Sequence, residues 1–305
     1  MQKIVIGSRG SKLALWQTNW VKGRLESAHP GLEVSVKIIT TTGDRITDVS
    51  LPTLGAQGKG LFTKELEEEM LDGRIDIAVH SLKDLPTELP DGLHIGAISE
   101  REDVRDALVA RDSAGFAQLP HGARVGTSSL RRQAQLSAAR PDLRFEPVRG
   151  NVDTRLRKVE SREYDAIVLA SAGLRRLGHA GRITEYLSEE LILPAVGQGA
   201  LAIESRTDDS AVDSLIRVIE HVPTRIACEA ERSFLKGLGG GCLVPIAALA
   251  RVDGQDLNLK GLVASPDGAE IIRGTAGGSA DDPGGVGRRF AEDLLGRGAG
   301  KLLAS

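Results

Sequence analysis

The beginning of the chain changes from one hydrophobic period to another. Residues 3–8 are rich in β-branched side chains, which predicts a strand. Between residues 13 and 28 apolar side chains recur every three or four positions, which predicts a helix with one buried face. Residues 33–41 then alternate polar and apolar side chains, which predicts a second strand. The order strand, helix, strand favours a βαβ unit and therefore a parallel sheet covered by helices.

This alternation continues and then starts again. Residues 65–71 are predicted to be helical, 75–79 to form a short buried strand, and the proline-bearing stretch 85–92 to be a loop. From Arg124 a second series of strands and helices predicts another α/β lobe. Its predicted strands are 125–126, 145–148 and 166–169, and its predicted helices are 130–139 and 152–160.

The last third of the chain has a different pattern. Residues 193–199 are glycine-rich and are expected to cross between the lobes, and helical spacing follows at 211–219 and 228–235. Beyond the glycines at 239–241 the pattern predicts a small α+β domain. Its predicted elements are strands 246–252 and 257–263 and a final helix near 286–295.

The length of 305 residues exceeds what one hydrophobic core usually organises, so two or three domains are expected. The predicted division is 1–100 with 198–218 for lobe 1, 104–194 for lobe 2 and 222–305 for the α+β domain. With 41% hydrophobic and 27% charged residues, the composition argues against a disordered, fibrous or coiled-coil chain.

Cysteine content and hydropathy bear on where the protein works. Two cysteines cannot form a disulfide framework, and the N-terminus turns polar too soon for a signal peptide. No stretch approaches the roughly 20 consecutive apolar residues of a membrane span. We therefore expect a cytoplasmic protein without membrane association.

Positive charge is concentrated in one part of a chain whose net charge is -3. Between Arg124 and Arg182, twelve arginines and one lysine stand against six acidic residues. Any single arginine, such as Arg155 on a predicted helix, has solvated surface as an alternative interpretation. The cluster as a whole predicts a site for anions, because arginine is the preferred planar partner of carboxylates and phosphates.

Two predicted junctions between a strand and a helix favour anion binding. Arg9 and Ser11 lie at the first, and Thr127 and Ser129 lie at the second. Free backbone N–H groups and the helix dipole attract anions at such a point. An ordinary helix N-cap with a solvated arginine is the alternative. No spacing matches a Walker loop, so nucleotide hydrolysis is not supported.

A third buried strand is followed by the polar residues His80, Lys83 and Asp84. Because ligands of open α/β sheets bind outside the carboxyl ends of strands, we expect these residues at the same rim as Arg149 and the Arg175–Arg176 pair. An ionised Asp84 could stabilise a developing cation or move a proton. A structural pair of Lys83 with Asp84 is the alternative, and His80 is expected to be a hydrogen-bonded core residue.

The two cysteines predict different environments. Cys242 follows three glycines and precedes a proline-containing turn, so its thiol can protrude and, in an electropositive setting, act as a nucleophile. Cys228 falls within a helical stretch and is expected to be a small buried hydrophobe.

Taken together, these motifs resemble the porphobilinogen deaminase family, also called hydroxymethylbilane synthases, over essentially the whole chain. The matching segments are 9–17, 58–66, 76–84, 125–132, 149–155, 193–199 and 240–245. The resemblance implies an α/β fold of two periplasmic-binding-protein-like, doubly wound lobes with a cleft between them, plus a C-terminal α+β domain that carries a cysteine.

The resemblance also implies an activity. Members of the family join four porphobilinogen molecules head to tail, release ammonia at each step, and free the linear tetrapyrrole hydroxymethylbilane by hydrolysis. Growth starts from a dipyrromethane cofactor held by a thioether, a role that falls on Cys242. The growing chain accumulates acetate and propionate groups, which explains the need for fixed cations. We expect porphobilinogen as the small-molecule partner, no metal and no nucleic acid, and a monomer.

The resemblance assigns roles to individual residues, with Asp84 as the catalytic group. Those matching the cofactor-binding positions are Cys242, Lys83, Asp84, Thr127, Ser129, Arg131 and Arg132. Those matching the substrate-binding positions are Arg9, Ser11, Lys59, Phe62, Arg149, Arg155, Arg176 and Gln198. Family members often carry a lysine where this chain has Gly55, so the loop around Lys59 departs from the pattern.

Two other classes of protein would account for part of these features. A non-catalytic two-lobed carrier of an anionic metabolite would explain the lobes and the arginines, but it gives no use for Asp84 or for the open Gly-Gly-Cys loop. A nucleic-acid-binding module would also explain the arginines. The net negative charge and an aromatic content of 3% argue against that module.

Overall fold

The structure is a computed structural model of the chain, and it describes residues 3–45, 62–240 and 244–303. The helices within these residues are α1 (Lys12–Ala28), α2 (Thr42–Arg45), α3 (Lys64–Leu71), α4 (Leu130–Ala139), α5 (Val152–Glu160), α6 (Ser171–Arg176), α7 (Ser210–Ile216), α8 (Val222–Gly237), α9 (Pro283–Gly296) and α10 (Ala299–Leu303). The strands are β1 (Lys3–Ser8), β2 (Glu33–Ile38), β3 (Ile77–Ser81), β4 (Leu93–Ile98), β5 (Asp106–Ala110), β6 (Arg124–Gly126), β7 (Arg144–Glu146), β8 (Ala166–Ala170), β9 (Glu185–Tyr186), β10 (Leu201–Arg206), β11 (Ile246–Asp253), β12 (Asp256–Ala264) and β13 (Ile271–Ser279).

The chain forms two compact units. Unit 1 comprises Met1–Glu102 with Gly199–Arg225, and unit 2 comprises Asp103–Gln198 with Ile226–Ser305. Unit 1 contains one five-stranded sheet, whereas unit 2 contains one five-stranded and one three-stranded sheet. The finer division into three domains stays a prediction.

The two five-stranded sheets share one topology. In unit 1 the order is β2-β1-β3-β10-β4, and in unit 2 it is β7-β6-β8-β5-β9. In each sheet three parallel strands are followed by a strand that runs antiparallel to both of its neighbours. The α/β class is therefore confirmed, and the predicted parallel pairing holds for three strands of each sheet, whereas the antiparallel strands β5 and β10 are additions that the pattern does not predict. The reason is that β5 and β10 are short apolar runs without a distinctive period, so the pattern did not reveal them.

In unit 1, the hydrophobic core lies between the five-stranded sheet and the helices α1 and α7. Buried side chains such as Ile6, Val21 and Ile203 form this cluster. Gly199 lies where the chain returns to this unit, with a φ of +94°, and a Cβ on it would lie 2.3 Å from the carbonyl oxygen of Glu102. Only glycine meets both conditions, the left-handed backbone and the close approach of another segment.

The three-stranded sheet of unit 2 is an antiparallel meander of β11, β12 and β13. Its core packs α8 and α9 on one face, where the rings of Phe234 and Phe290 stack with centroids 4.8 Å apart. A separate buried cluster joins Ala134 of α4 to Leu249 and Leu262 of this sheet. The α+β pattern expected for the end of the chain is therefore present, although β13 was not predicted.

Candidate active site

In unit 1, the carboxyl end of β1 leads into a capped helix. The Ser11 hydroxyl accepts a hydrogen bond from the Ala14 N–H at 3.2 Å, and the first turn of α1 carries no acidic residue. The remaining N–H groups of that turn and the helix dipole favour an anion. The Arg9 guanidinium lies 4.2 Å from the ring centroid of Phe62. Arg9, Ser11 and Phe62 are thus brought together as a cationic and aromatic group.

Asp84 is presented by a tight turn at the end of β3. Leu82–Asp84 forms a single 3-10 turn, in which the buried Leu82 donates its N–H to the Ala200 carbonyl at 3.0 Å. Gln17 of α1 donates to the Ser81 hydroxyl at 2.8 Å and so fixes the strand end. Lys83 is half-buried and the Asp84 side chain is exposed. The anchored turn holds a carboxylate in solvent on a rigid base.

Arg9 and the turn that carries Asp84 lie at the same edge of the unit 1 sheet. Strands β1 and β3 are adjacent and parallel, with Ile6 opposite Ile77. Since the carboxyl ends of parallel strands meet at the same edge, Arg9 and Asp84 follow neighbouring strand ends, as the sequence predicts.

Unit 2 repeats the arrangement at the end of β6. Ser129 caps α4 by accepting from the Arg132 N–H at 3.4 Å, and the first turn of α4 also lacks an acidic residue. The buried Thr127 hydroxyl accepts from the Ser129 N–H at 3.3 Å. The same anion-favouring helix start therefore occurs in both units, followed here by Arg131 and Arg132.

Asp106, which the sequence analysis did not single out, organises these two arginines. It begins β5, is fully buried, and accepts from Arg131 Nη1 at 2.7 Å. Its other oxygen accepts from Arg132 Nη2 at 2.7 Å and from Arg132 Nε at 3.0 Å. Gln198 Nε2 donates to it at 3.0 Å. One buried carboxylate thus fixes three residues that were predicted as ligand-binding.

The ionised form of the Asp106 carboxyl is strongly favoured over the protonated form. Burial by itself would raise the pKa of this carboxyl, but the Arg131 and Arg132 guanidiniums outweigh burial and hold the pKa well below its usual range. Arg131 also donates to the Leu193 carbonyl at 2.8 Å, and Arg132 to the Val168 carbonyl at 3.2 Å. Both guanidiniums are therefore held rigidly. An acidic residue at the start of an apolar run, in a chain rich in arginine, is the signal that could have identified Asp106.

The other predicted arginines of unit 2 lie near loops. Arg149 follows the buried Val148, whose N–H and carbonyl both bond the Ser128 hydroxyl, at 3.1 and 2.8 Å. Arg155 Nε donates to the Gly150 carbonyl at 2.8 Å. Arg149, Arg155 and Arg176 are all half-buried, and Arg176 ends α6. Ser128 therefore ties the loop before Arg149 to the start of α4.

The remaining predicted residues have other positions. Gln198 is fully buried, and besides Asp106 it donates to the Val104 carbonyl at 2.8 Å, so its observed partners belong to the protein interior. Cys242 and Lys59 lie outside the described residues, as does Gly55. Cys228 is buried on α8, as predicted.

Metal-binding groups and membrane-spanning helices are the next features to consider in the described residues. Within them, no group of three or more His, Cys, Asp or Glu side chains is arranged to hold a metal ion. Among the helices of the described segments, none combines the length and apolar character needed to cross a membrane. The described site residues provide fixed cations and the N-termini of α1 and α4, which favour anions. They also include the exposed carboxylate of Asp84.

Comparison with known families agrees with this geometry. The model of the porphobilinogen deaminase dipyrromethane cofactor binding domain matches residues 4–214, and that of the porphobilinogen deaminase C-terminal domain matches residues 225–296. The porphobilinogen deaminase of Geotalea daltonii is 52% identical over 304 residues, covering 100% of this chain and 95% of that protein. The porphobilinogen deaminase of Syntrophotalea carbinolica is 54% identical over 300 residues, covering 98% and 95%.

Solved structures give weaker similarity. The periplasmic aliphatic sulphonate binding protein SsuA from Escherichia coli is 14% identical, with a TM-score of 0.42, covering 77% of this chain and 70% of that chain. A TM-score below 0.5 does not establish a shared fold, so the fold described above rests on the observed sheets.

Proposed function

This chain belongs to the porphobilinogen deaminase family, and from that premise we propose which residues perform each part of the family's reaction. It is an enzyme that condenses four porphobilinogen molecules head to tail with loss of ammonia and releases hydroxymethylbilane by hydrolysis. The observation that carries the assignment of roles is the capped helix start without acidic residues, which occurs in both units beside fixed arginines. The exposed Asp84 at the end of β3 complements it.

Substrate capture is assigned to cations that match the carboxylates of porphobilinogen. Each substrate molecule carries an acetate and a propionate group, and charge-assisted hydrogen bonds from arginine are the strong way to hold such groups. We assign this role to the cations Arg9, Lys59, Arg149, Arg155 and Arg176, with Ser11 and Phe62 close to Arg9. Gln198 is assigned a supporting role, because it is buried and donates to the Val104 carbonyl and to Asp106. The contact of Arg9 with Phe62 supports a binding surface with both charged and aromatic character.

The residues at the start of α4 fit a dipyrromethane group. Its two pyrroles carry four carboxylates, and the donor set of Thr127, Ser129 and the first turn of α4 is free of acidic side chains. Arg131 and Arg132 supply positive charge there. From the family resemblance we also assign Lys83, as a cation, and Asp84, as an acceptor of pyrrole N–H groups, to the cofactor, with Cys242 as the sulfur of the thioether. When bound, the group provides the pyrrole carbon to which substrate units are joined.

Asp84 is assigned the chemistry. Loss of ammonia from porphobilinogen leaves an electron-poor methylene carbon, and positive charge develops on pyrrole nitrogen. A carboxylate that accepts the pyrrole N–H stabilises this charge and assists proton transfer. The anchored turn beneath Asp84 supports this role, because a fixed group loses less of its effect to reorganisation.

The non-catalytic carrier is not favoured, because the matched relatives are enzymes. We further propose that the protein works as a monomer in the cytoplasm without nucleic acid. The content of two cysteines supports a reducing compartment, and the net charge of -3 supports the absence of a nucleic-acid partner.

Intact mass tests the cofactor assignment. The purified holoprotein is expected to exceed its sequence mass by two porphobilinogen-derived pyrrole units, and Cys242→Ser is expected to abolish the excess. Cys228→Ser, at a buried helical cysteine, is the matched control and should retain it. Active, freshly purified protein with the bare mass would overturn the assignment.

Turnover in the same preparations tests Asp84. Asp84→Asn should keep the mass excess but lose nearly all turnover, whereas the control Asp91→Asn, an exposed carboxylate of the following loop, should behave like the unsubstituted protein. Near-normal turnover of Asp84→Asn would remove Asp84 from the chemistry while leaving the cofactor assignment intact.

A further inference from the structure

Three buried titratable side chains lie together in unit 1, and the proposed reaction uses none of them. They are Glu67 of α3, His80 of β3 and Glu204 of β10, which are 7%, 6% and 0% exposed. His80 Nε2 is 3.0 Å from Glu204 Oε2. The strand register places Ala202 opposite His80 and Glu204 opposite Ala78, so His80 and Glu204 share one face of the sheet.

That face packs against α3. Ala78 belongs to the same buried cluster as Leu66 and Met70 of α3, and Glu67 lies between these two helix residues. The cluster of Glu67, His80 and Glu204 therefore lies in the contact between helix and sheet. Within the described residues it does not have the arrangement of a metal site.

Protonation of one carboxyl lowers the charge that such a cluster buries. Burial raises the pKa of the Glu67 carboxyl, and the Thr63 hydroxyl opposes this effect; Glu204 and Glu68 raise the pKa further, whereas His80 lowers it. Glu67 Oε1, His80 Nε2 and both carboxylate oxygens of Glu204 lack a hydrogen-bond partner among the described residues, although His80 Nε2 approaches Glu204 Oε2 to 3.0 Å. Unpaired buried carboxylates are costly, which favours a proton on Glu67.

The cluster connects two elements that carry site residues. Helix α3 begins directly after Phe62 and Thr63, and the Phe62 ring contacts the Arg9 guanidinium. Strand β3 continues from His80 into the turn that ends at Asp84. We propose that Glu67, His80 and Glu204 are positioning residues that hold α3 against β3 and so set the placement of Phe62 relative to Asp84. This proposal rests on the catalytic role assigned to Asp84.

The first experiment replaces the buried carboxyl of Glu204 by an amide with Glu204→Gln in the holoprotein. We expect kcat to fall at least about tenfold with KM changed less than about twofold, because a small misplacement of a catalytic group lowers the rate by up to about a hundredfold. The double variant with His80→Gln should recover part of kcat, since two facing amides can hydrogen-bond each other in place of the original pair. Glu68→Gln, on the exposed side of α3, is the matched control and should retain kcat.

A second variant applies if Glu204→Gln does not fold. Glu67→Gln imitates the protonated carboxyl, so it should fold and match the kcat of the unsubstituted enzyme at acid pH. Because the raised pKa keeps Glu67 protonated at low pH and ionisation disturbs the cluster as pH rises, the ratio of its kcat to the unsubstituted value should increase from acid to alkaline pH. A ratio that stays constant across this range, or an unchanged kcat of Glu204→Gln, overturns the proposal.

Carbon-13 NMR of labelled glutamate separates this proposal from the assignment of Asp84. The Glu67 carboxyl resonance, identified by its loss in Glu67→Gln, should titrate above the ordinary range of a glutamate carboxyl. Titration within the ordinary range refutes the protonated Glu67 even if Asp84→Asn is inactive. Conversely, an active Asp84→Asn refutes the proposed chemistry whatever Glu67 does.

Discussion

Replacing Asp106 by Asn tests whether one buried carboxylate organises the candidate site residues of unit 2. Asn keeps the size of the side chain and one acceptor oxygen but removes the charge. Arg131 and Arg132 would then lose the counter-ion that now accepts from them at 2.7 Å each. Both guanidiniums are buried, so they cannot recover their solvation without a rearrangement.

The expected cost follows from burial. Breaking a buried ion pair by removing one partner costs about 3–5 kcal/mol, because the remaining charge is left uncompensated. Since Asn still accepts one hydrogen bond, we expect the lower end of this range, about 3 kcal/mol in the free energy of unfolding. This corresponds to a change of about a hundredfold in the folded-to-unfolded ratio.

Urea unfolding followed by circular dichroism measures this cost. The matched control is Asp293→Asn, whose ion pair with Arg297 has side chains that are 57% and 46% exposed. A solvent-exposed pair contributes about 0–1 kcal/mol, so the control should lie close to the unsubstituted protein. An Asp106→Asn variant as stable as the control would refute the organising role of Asp106.

The pH dependence has a defined sign. The pKa of Asp106 is lowered in the folded protein from its ordinary value of 3.8, so its contribution to stability is present above that value and is lost as pH falls below it. The stability difference between Asp106→Asn and the unsubstituted protein should therefore be constant near neutral pH and shrink in acid. A difference that grows in acid would contradict the ion-pair assignment. The fraction of protein with the cofactor mass should also fall in the variant, because Arg131 and Arg132 lose their fixed positions.

Two further predictions concern binding and the backbone. Arg149→Leu should lower kcat/KM by about tenfold to a hundredfold, the equivalent of about 1.5–3 kcal/mol for a charged hydrogen bond. The control Arg144→Leu, at an exposed residue of β7, should leave kcat/KM unchanged. Steady-state kinetics measures both variants, and equal values would contradict the role of Arg149. Gly199→Ala should destabilise the protein by at least about 2 kcal/mol more than Gly178→Ala in urea unfolding, because both glycines have positive φ but only Gly199 would bring a Cβ to 2.3 Å from a backbone oxygen; equal losses would show that the close approach relaxes freely.

Much of the fold follows from local pattern. The periods of 3.6 and 2 residues located α1, α4 and α5 and the strands β1, β6 and β8, because each has one buried and one exposed face or a clear apolar run between turn residues. The helix starts with Ser11 and Ser129 were also predictable, since a hydroxyl before a helical period is a local signal. The resemblance to a known family added catalytic and binding roles of individual residues, which the hydrophobic periods do not indicate.

What the tertiary structure alone decided is the pairing of distant segments. Strand β10 lies between β3 and β4, and β5 lies between β8 and β9, although neither order follows from the sequence of elements along the chain. Local patterns carry no information on which strand edges meet, because pairing depends on contacts between residues far apart in sequence.

The same limit applies to buried charges. In a sequence, Asp106, Glu67 and Glu204 read as ordinary surface acids, since isolated acidic residues are mostly exposed. Their burial becomes visible only when the fold brings Arg131 and Arg132 to Asp106, and His80 to Glu204. A buried charge is tolerated only beside its partner, and the partner is supplied by the tertiary structure.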